Sequence, residues 1–181
     1  MKNVLILHGT GSSSKQNWFP WLKSELEAKG VKVWVPDLPL SERPNIERYK
    51  QYVFEHWQFD QDSIIIGHSS GAVAALGILQ YLPVGLQIEK VILVAAFKDN
   101  LGRDDLNQLF IRPLNFEKIK NHCKNFVLIA SDNDPYVPLE HVQFLKEQLN
   151  GELVVLDGQK HFNTTTMGEA SMEFIKILEY I

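Results

Sequence analysis

Ser63-Ile64-Ile65-Ile66-Gly67-His68-Ser69-Ser70-Gly71-Ala72-Val73-Ala74-Ala75-Leu76-Gly77-Ile78-Leu79 is the stretch that decides how this chain is read. A short apolar strand runs into a G-x-S-x-G turn, and a helix of small residues follows. In such a strand-to-helix elbow the serine occupies a tight, strained backbone turn. The positions two before and two after it must be small, because strand and helix nearly touch there. Gly67 and Gly71 meet that demand, so Ser69 is the candidate nucleophile. The first amides of the helix point at the turn, where a developing negative charge needs donors. Ser70, the neighbouring hydroxyl, falls one past the elbow, where its backbone N–H matters rather than its side chain. A bare G-x-S-x-G arises often by chance; the isoleucine run before it and the alanine-rich run after it supply the context the mechanism requires.

Upstream of the elbow, Val4 to Leu7 read as a buried central strand that stops at His8-Gly9. The loop H-G-T-G-S-S-S-K that follows admits two readings. As an oxyanion loop it offers the N–H of Thr10 beside that of Ser70. As a nucleotide loop it has Gly9-Thr10-Gly11 after a strand and Asp37 at the end of the next strand, but Ser14 replaces the third glycine and no G-K-[ST] occurs. Asn17 to Lys29 is predicted to be a helix with Asn17 as its N-cap, Val31 to Val35 a strand, and Pro44 to Trp57 a second helix with Pro44 in its first turn.

Downstream, strands are expected at Val91 to Ala95, Val127 to Ala130 and Leu153 to Leu156, with helices from Pro138 to about Leu149 and from Met167 onward. The last helix is expected to carry Phe174, Ile175 and Leu178 inward. Residues 97–124 are polar and broken, with a short helix opening at Arg103-Asp104-Asp105 and another capped by Asn115; this segment reads as a small cover over the site, too short for a cap domain. Strands alternating with helices throughout predict an α/β three-layer sandwich: a six-stranded parallel sheet with helices on both faces. At 181 residues with 45% hydrophobic residues, one domain spanning 1–181 is expected.

Composition narrows the function. A formal net charge of -4, without a run of lysine or arginine, argues against nucleic acid and anionic membrane as partners. Cys123 is the sole cysteine, which excludes an intrachain disulfide and suits a reducing compartment. The N-terminal apolar run is too short for a signal peptide, so a cytoplasmic protein is expected. His8, His56, His68, His122 and His141 show no zinc-type spacing, and the reading calls for neither metal nor cofactor.

Three loops, each following a strand, carry Ser69, Asp134 and His161. Carboxyl ends of parallel strands share one edge of the sheet, so residues far apart in sequence meet there. The order serine, acid, histidine is that of an α/β-hydrolase triad: His161 as general base and then acid, Asp134 orienting its imidazole. Asp132 and Asp157 are near enough in sequence to compete as the acid. An isolated loop histidine is usually a solvated side chain, and an aspartate before proline is usually turn chemistry; their joint placement after strands three, five and six carries the assignment. Trp18, Phe97, Phe110, Tyr136 and Phe162 are the candidates for an apolar substrate pocket.

These residues resemble the small, lidless α/β-hydrolases of the YdeN type, which include retinoblastoma-binding protein nine. The likeness rests on Gly67-His68-Ser69-Ser70-Gly71, on Asn17-Trp18-Phe19-Pro20-Trp21, on Arg112-Pro113 with Phe116-Glu117-Lys118-Ile119, on Ser131 to Pro138, and on His161-Phe162. It implies a truncated α/β-hydrolase fold and a serine hydrolase acting on a small carboxylic ester, thioester or amide through an acyl-enzyme, and it favours Asp134 over Asp132 as the acid. Two positions depart from the family. Lys160 stands where a glycine usually precedes the histidine, and the L-x-C-x-E motif of retinoblastoma binding is absent, Cys123 lying in N-H-C-K-N. The alternative from a different class is a hydrolase-fold binding module with little turnover, since a fold does not guarantee a substrate.

Overall fold

The computed structural model describes residues 2–181. Six parallel strands, β1 (Asn3–Leu7), β2 (Lys32–Trp34), β3 (Ser63–His68), β4 (Ile88–Val94), β5 (Cys123–Ser131) and β6 (Glu152–Leu156), form one sheet in the order β2-β1-β3-β4-β5-β6. Every residue of β1 and β3 is buried. That is why both read as unbroken apolar runs rather than alternating ones: helices cover both faces of the sheet. Side chains still alternate. Leu5, Leu7, Ile65, Val91 and Leu93 feed the core beneath α2 (Ile46–His56), α3 (Ser70–Leu79) and α5 (Leu139–Leu149). Val4, Ile6, Ile64, Ile66 and Ile92 feed the opposite core, closed by α1 (Phe19–Glu27) and the C-terminal segment.

The topology itself makes a crevice. The chain steps from β1 outward to β2 and then returns past β1 to β3, so the order reverses between these two central strands. Loops leaving their carboxyl ends diverge there, and ligands of open parallel sheets bind at such a switch point. The loop after β1 and the elbow after β3 are those two loops.

All ten residues of α3 are buried, so it shows no polar face. It lies across the sheet with α2 packed on its other side, and Gly77 permits this: a Cβ there would fall 2.3 Å from Ile46 Cδ1. The helix over Ile46–His56 starts later than Pro44, because Asn45 is the cap, its side chain accepting the Arg48 N–H at 2.9 Å. Asn115 caps α4 (Phe116–Asn121) in the same way.

Two predicted elements differ. The first helix begins at Phe19, not Asn17, with Pro20 in its first turn. Asn17 is left-handed at φ 53°, and its Oδ1 accepts the N–H of Thr164 at 2.9 Å instead of capping α1. The regular helix expected from Met167 does not form. A single turn, α6 (Thr164–Met167), is broken by Gly168 at φ 63°, and 3-10 turns follow at Gly168–Ser171 and Ile175–Tyr180. Their threefold repeat turns Phe174 and Ile177 inward and leaves Ile175 68% exposed. Within residues 97–124 the 3-10 turn Asp104–Leu109 buries Leu106 and Leu109 in the core.

Candidate active site

The elbow is built by close approach. A Cβ on Gly67 would meet Ala72 Cα at 2.4 Å, and one on Gly71 would meet the carbonyl oxygens of Leu7 and His8 at 2.2 and 2.5 Å. Between them Ser69 adopts φ 55°, ψ -123°, a conformation L-residues avoid. Its N–H donates to Val94 C=O at 2.9 Å, which fixes the turn to the end of β4. The hydroxyl therefore stands clear of the sheet edge with its backbone fully engaged.

Three residues past β5, Asp134 points inward, its side chain 3% exposed. Its Oδ1 accepts the N–H groups of Tyr136 (2.8 Å) and Val137 (3.1 Å), and its Oδ2 lies 2.8 Å from His161 Nδ1. His161 Nε2 is 3.0 Å from Ser69 Oγ. An ionised carboxylate only accepts, so Nδ1 carries the proton and Nε2 is left to accept the serine hydroxyl. Asp132 is turned elsewhere, its Oδ1 taking the Gly158 N–H at 2.7 Å, and Asp157 is exposed. The three predicted residues thus form one hydrogen-bonded row from serine to acid.

Lys160, directly before the histidine, is left-handed at φ 45°. Its N–H donates to Asn133 Oδ1 at 2.8 Å and its ammonium to the Thr166 carbonyl at 2.8 Å, so the charge is occupied away from the histidine ring. Asn133 is a brace that sequence reading missed; an Asn between two aspartates in a turn carries no signal of a partner 27 residues on.

The loop after β1 lies against the elbow. Thr10 Oγ1 donates to Ser70 Oγ at 2.9 Å, which ties this loop to the first residue of α3. Neither the Thr10 N–H nor the Ser70 N–H has a backbone acceptor among the described residues. His8 holds this loop from below: its Nε2 accepts the Leu38 N–H at 2.9 Å, so its Nδ1–H donates to Gly9 C=O at 2.9 Å. Burial lowers the His8 pKa, in keeping with that neutral, two-partner role. Asp37, the acid of the nucleotide reading, instead accepts the Ser14 N–H at 2.7 Å, and that bond keeps its carboxyl below the usual range. It braces its own loop.

A cavity of about 260 Å³ opens over Ser69 and His161. Phe97, Leu101, Leu106, Tyr136 and Val137 give it an apolar wall, and Gln16, Asn17, Asn163, Thr164 and Thr165 line it with amides and hydroxyls, together with Arg103. Of the five aromatic residues expected to line a pocket, only Phe97 and Tyr136 do. Trp18 and Phe162 are core residues, 1% and 2% exposed, and Phe110 packs behind Phe97 at a ring distance of 6.2 Å. The polar wall was missed because irregular loops carry no periodic pattern. Among the described residues no cluster of His, Cys, Asp and Glu suits a metal ion, and no helix is long and apolar enough to cross a membrane.

The whole arrangement has known relatives. The chain is 30% identical over 164 residues to YdeN of Bacillus subtilis, described as a hydrolase, covering 89% of this chain and 86% of that one. It is 29% identical over 167 residues to the serine hydrolase RBBP9 of Rattus norvegicus, covering 90% and 87%. The crystal structure of the B. subtilis ydeN gene product superposes with a TM-score of 0.91 at 27% identity, over 99% of this chain and 96% of the other. Est1E from Butyrivibrio proteoclasticus, solved with ferulic acid bound, shares the fold at a TM-score of 0.69 and 17% identity, over 100% and 90%. The sheet and its helices are those of an α/β-hydrolase. Residues 4–176 match the family model for serine hydrolases, and the chain belongs to that family.

Proposed function

We propose that the protein is a single-domain enzyme that hydrolyses a small carboxylic ester, thioester or amide through an acyl-enzyme on Ser69. The observation that carries this reading is the unbroken row Ser69 Oγ, His161 and Asp134, with contacts of 3.0 and 2.8 Å, at the floor of the cavity. Ser69 Oγ attacks the carbonyl carbon while His161 Nε2 takes its proton. Asp134 keeps the ring in the tautomer that can accept, and its charge stabilises the imidazolium. The N–H groups of Ser70 and Thr10 receive the oxyanion. His161 then protonates the leaving group, and water repeats the sequence on the acyl-serine with the roles reversed.

The test is labelling by a fluorophosphonate, which reacts with an activated serine and ignores ordinary ones. The mass is expected on Ser69, absent in Ser69→Ala, kept in Ser70→Ala and reduced in His161→Ala. Turnover of a panel of short-chain and hydroxycinnamate esters is expected to fall by about 10³ or more in Ser69→Ala. Hydroxycinnamate esters belong in the panel because Est1E holds ferulic acid, an aromatic acid. Folded protein that takes no label at Ser69 overturns the proposal.

A further inference from the structure

The loop that carries His161 is held in an unfavourable shape. Lys160 and Phe162, on either side of the histidine, are both left-handed, at φ 45° and 53°, and neither is glycine. A turn closed by Phe162 N–H to Gln159 C=O at 3.0 Å does not by itself select that backbone. Residues in such conformations persist only where their surroundings over-determine them.

Asn133 Oδ1 holds the Lys160 N–H, and two buried rings hold the carbonyls that follow. His68 Nε2 lies 2.8 Å from the carbonyl oxygen of His161, and Trp18 Nε1 donates to the carbonyl oxygen of Phe162 at 3.1 Å. Consecutive carbonyls of the loop are therefore each taken by a ring N–H from the core, one from the last residue of β3 and one from the cap of α1. A carbonyl only accepts, so His68 Nε2 must carry the proton, and burial keeps the ring neutral by pushing its pKa down to about 3. That leaves Nδ1 bare, and it is buried with no hydrogen-bond partner. A ring needed only to fill space is better replaced by an apolar one, which leaves no orphan acceptor. His68 also precedes Ser69 directly. The path from Ser69 Oγ through the His161 ring and carbonyl back to His68 is a short closed circuit, with links of 3.0 and 2.8 Å.

We propose that His68 and Trp18 are positioning residues whose ring N–H groups clamp the carbonyls of His161 and Phe162, hold the left-handed loop in place, and thereby seat the imidazole on Ser69. The inference rests on the reading of Ser69 and His161 as nucleophile and base. Trp18 does not line the cavity, whereas His68 borders it beside Ser69.

The experiment compares wild type with Trp18→Phe, His68→Phe and His68→Gln, each alone and with Lys160→Gly added, with Lys160→Gly alone as reference. Readouts are the fluorophosphonate labelling rate, kcat and KM on p-nitrophenyl acetate, and the thermal midpoint. Trp18→Phe and His68→Phe are expected to lower kcat and the labelling rate by about 10- to 100-fold, the scale of a misplaced catalytic group, with KM little changed. His68→Gln keeps an N–H donor near the Nε2 position and is expected to recover most of the loss. Lys160→Gly relieves the left-handed strain and is expected to restore part of the rate lost in Trp18→Phe, which a pure packing defect does not allow. Folded Trp18→Phe within about twofold of wild type, or no recovery on adding Lys160→Gly, overturns the clamp. If His68→Phe does not fold, the Trp18→Phe pair decides alone. Wild type that takes no label at Ser69 overturns the triad and the clamp with it; labelled wild type with fully active variants overturns the clamp only.

Discussion

Asparagine at position 134 removes one charge and no volume, and the structure dictates which way its amide must turn. Asp134 Oδ1 accepts two backbone N–H groups, from Tyr136 at 2.8 Å and Val137 at 3.1 Å. An NH₂ in that slot faces two donors, so the asparagine carbonyl must occupy it, and the NH₂ is driven into the Oδ2 position 2.8 Å from His161 Nδ1. The amide then donates where the carboxylate accepted. His161 Nδ1 must become the bare nitrogen and Nε2 the protonated one, so the ring donates toward Ser69 Oγ and has no lone pair for the serine proton. The same exchange in a protease triad leaves the geometry intact and lowers kcat by about 10⁴. That factor corresponds to about 5 kcal/mol of lost transition-state stabilisation. The assay is hydrolysis of p-nitrophenyl acetate by Asp134→Asn, with circular dichroism to establish an unchanged fold. Asp132→Asn is the control, since an asparagine carbonyl still accepts the Gly158 N–H; it is expected to stay within about twofold of wild type. A kcat for Asp134→Asn above about a tenth of wild type refutes the assignment of the acid, because wrong-tautomer imidazole cannot sustain it.

Gly71→Ala puts a Cβ 2.2 Å from the Leu7 carbonyl oxygen, part of a central strand that cannot swing aside, so urea denaturation is expected to show a loss beyond the ~1–3 kcal/mol of ordinary overpacking; a midpoint equal to wild type refutes the close approach. Acid is expected to weaken the fold. Burial depresses the folded pKa of His68 from 6.5 to about 3, so between those values the unfolded chain binds the extra proton and stability falls as pH falls. The slope is up to about 1.4 kcal/mol per pH unit for each such histidine, and His8 acts in the same direction; urea midpoints that do not change from pH 6.5 to pH 4.5 refute the neutral buried rings. The cavity of about 260 Å³ is small for a ligand site, which typically measures roughly 300–1,000 Å³. p-Nitrophenyl acetate is therefore expected to exceed the octanoate in kcat/KM by at least about tenfold, and a preference for octanoate refutes the cavity as the acyl site.

The features legible in the sequence are those written in local pattern. Ile64 to Ile66 against Gly67 and Gly71 specify an elbow, because a strand and a helix can approach so closely only over glycine. Asp134 and His161 follow from that once the strands are counted, since parallel topology brings their loops to one edge. What the sequence hides is every tie between distant loops. Asn17 looks like a helix cap, and nothing near it announces Thr164, 147 positions later. Trp18 and Phe162 look like pocket aromatics because composition cannot distinguish a ring in the core from one on a wall; their actual relation is a single N–H to carbonyl bond. At the C-terminus, Phe174, Ile175 and Leu178 satisfy a helical repeat, yet the observed 3-10 turn buries Phe174 and Ile177, packs Leu178 against the same core and leaves Ile175 exposed. Short apolar stretches fit either period, and only the surface they pack against decides.

Backbone strain shows how those hidden ties and the chemistry belong together. Asn17, Ser69, Lys160 and Phe162 are all left-handed without being glycine, and all four lie at or beside the cavity. Each such residue costs on the order of 1–3 kcal/mol, so local preference opposes the site at each of them. In each case a different element supplies the restraint. Val94 at the end of β4 takes the Ser69 N–H, and Thr164 donates to the Asn17 side chain. Asn133 after β5 takes the Lys160 N–H, and Trp18 before α1 donates to the Phe162 carbonyl. None of these four is secured by its own loop alone. The arrangement is therefore specified only when the loops are assembled together on the sheet edge, and the rigid two-faced core beneath them is what lets four unfavourable turns hold one serine, one histidine and one aspartate in line.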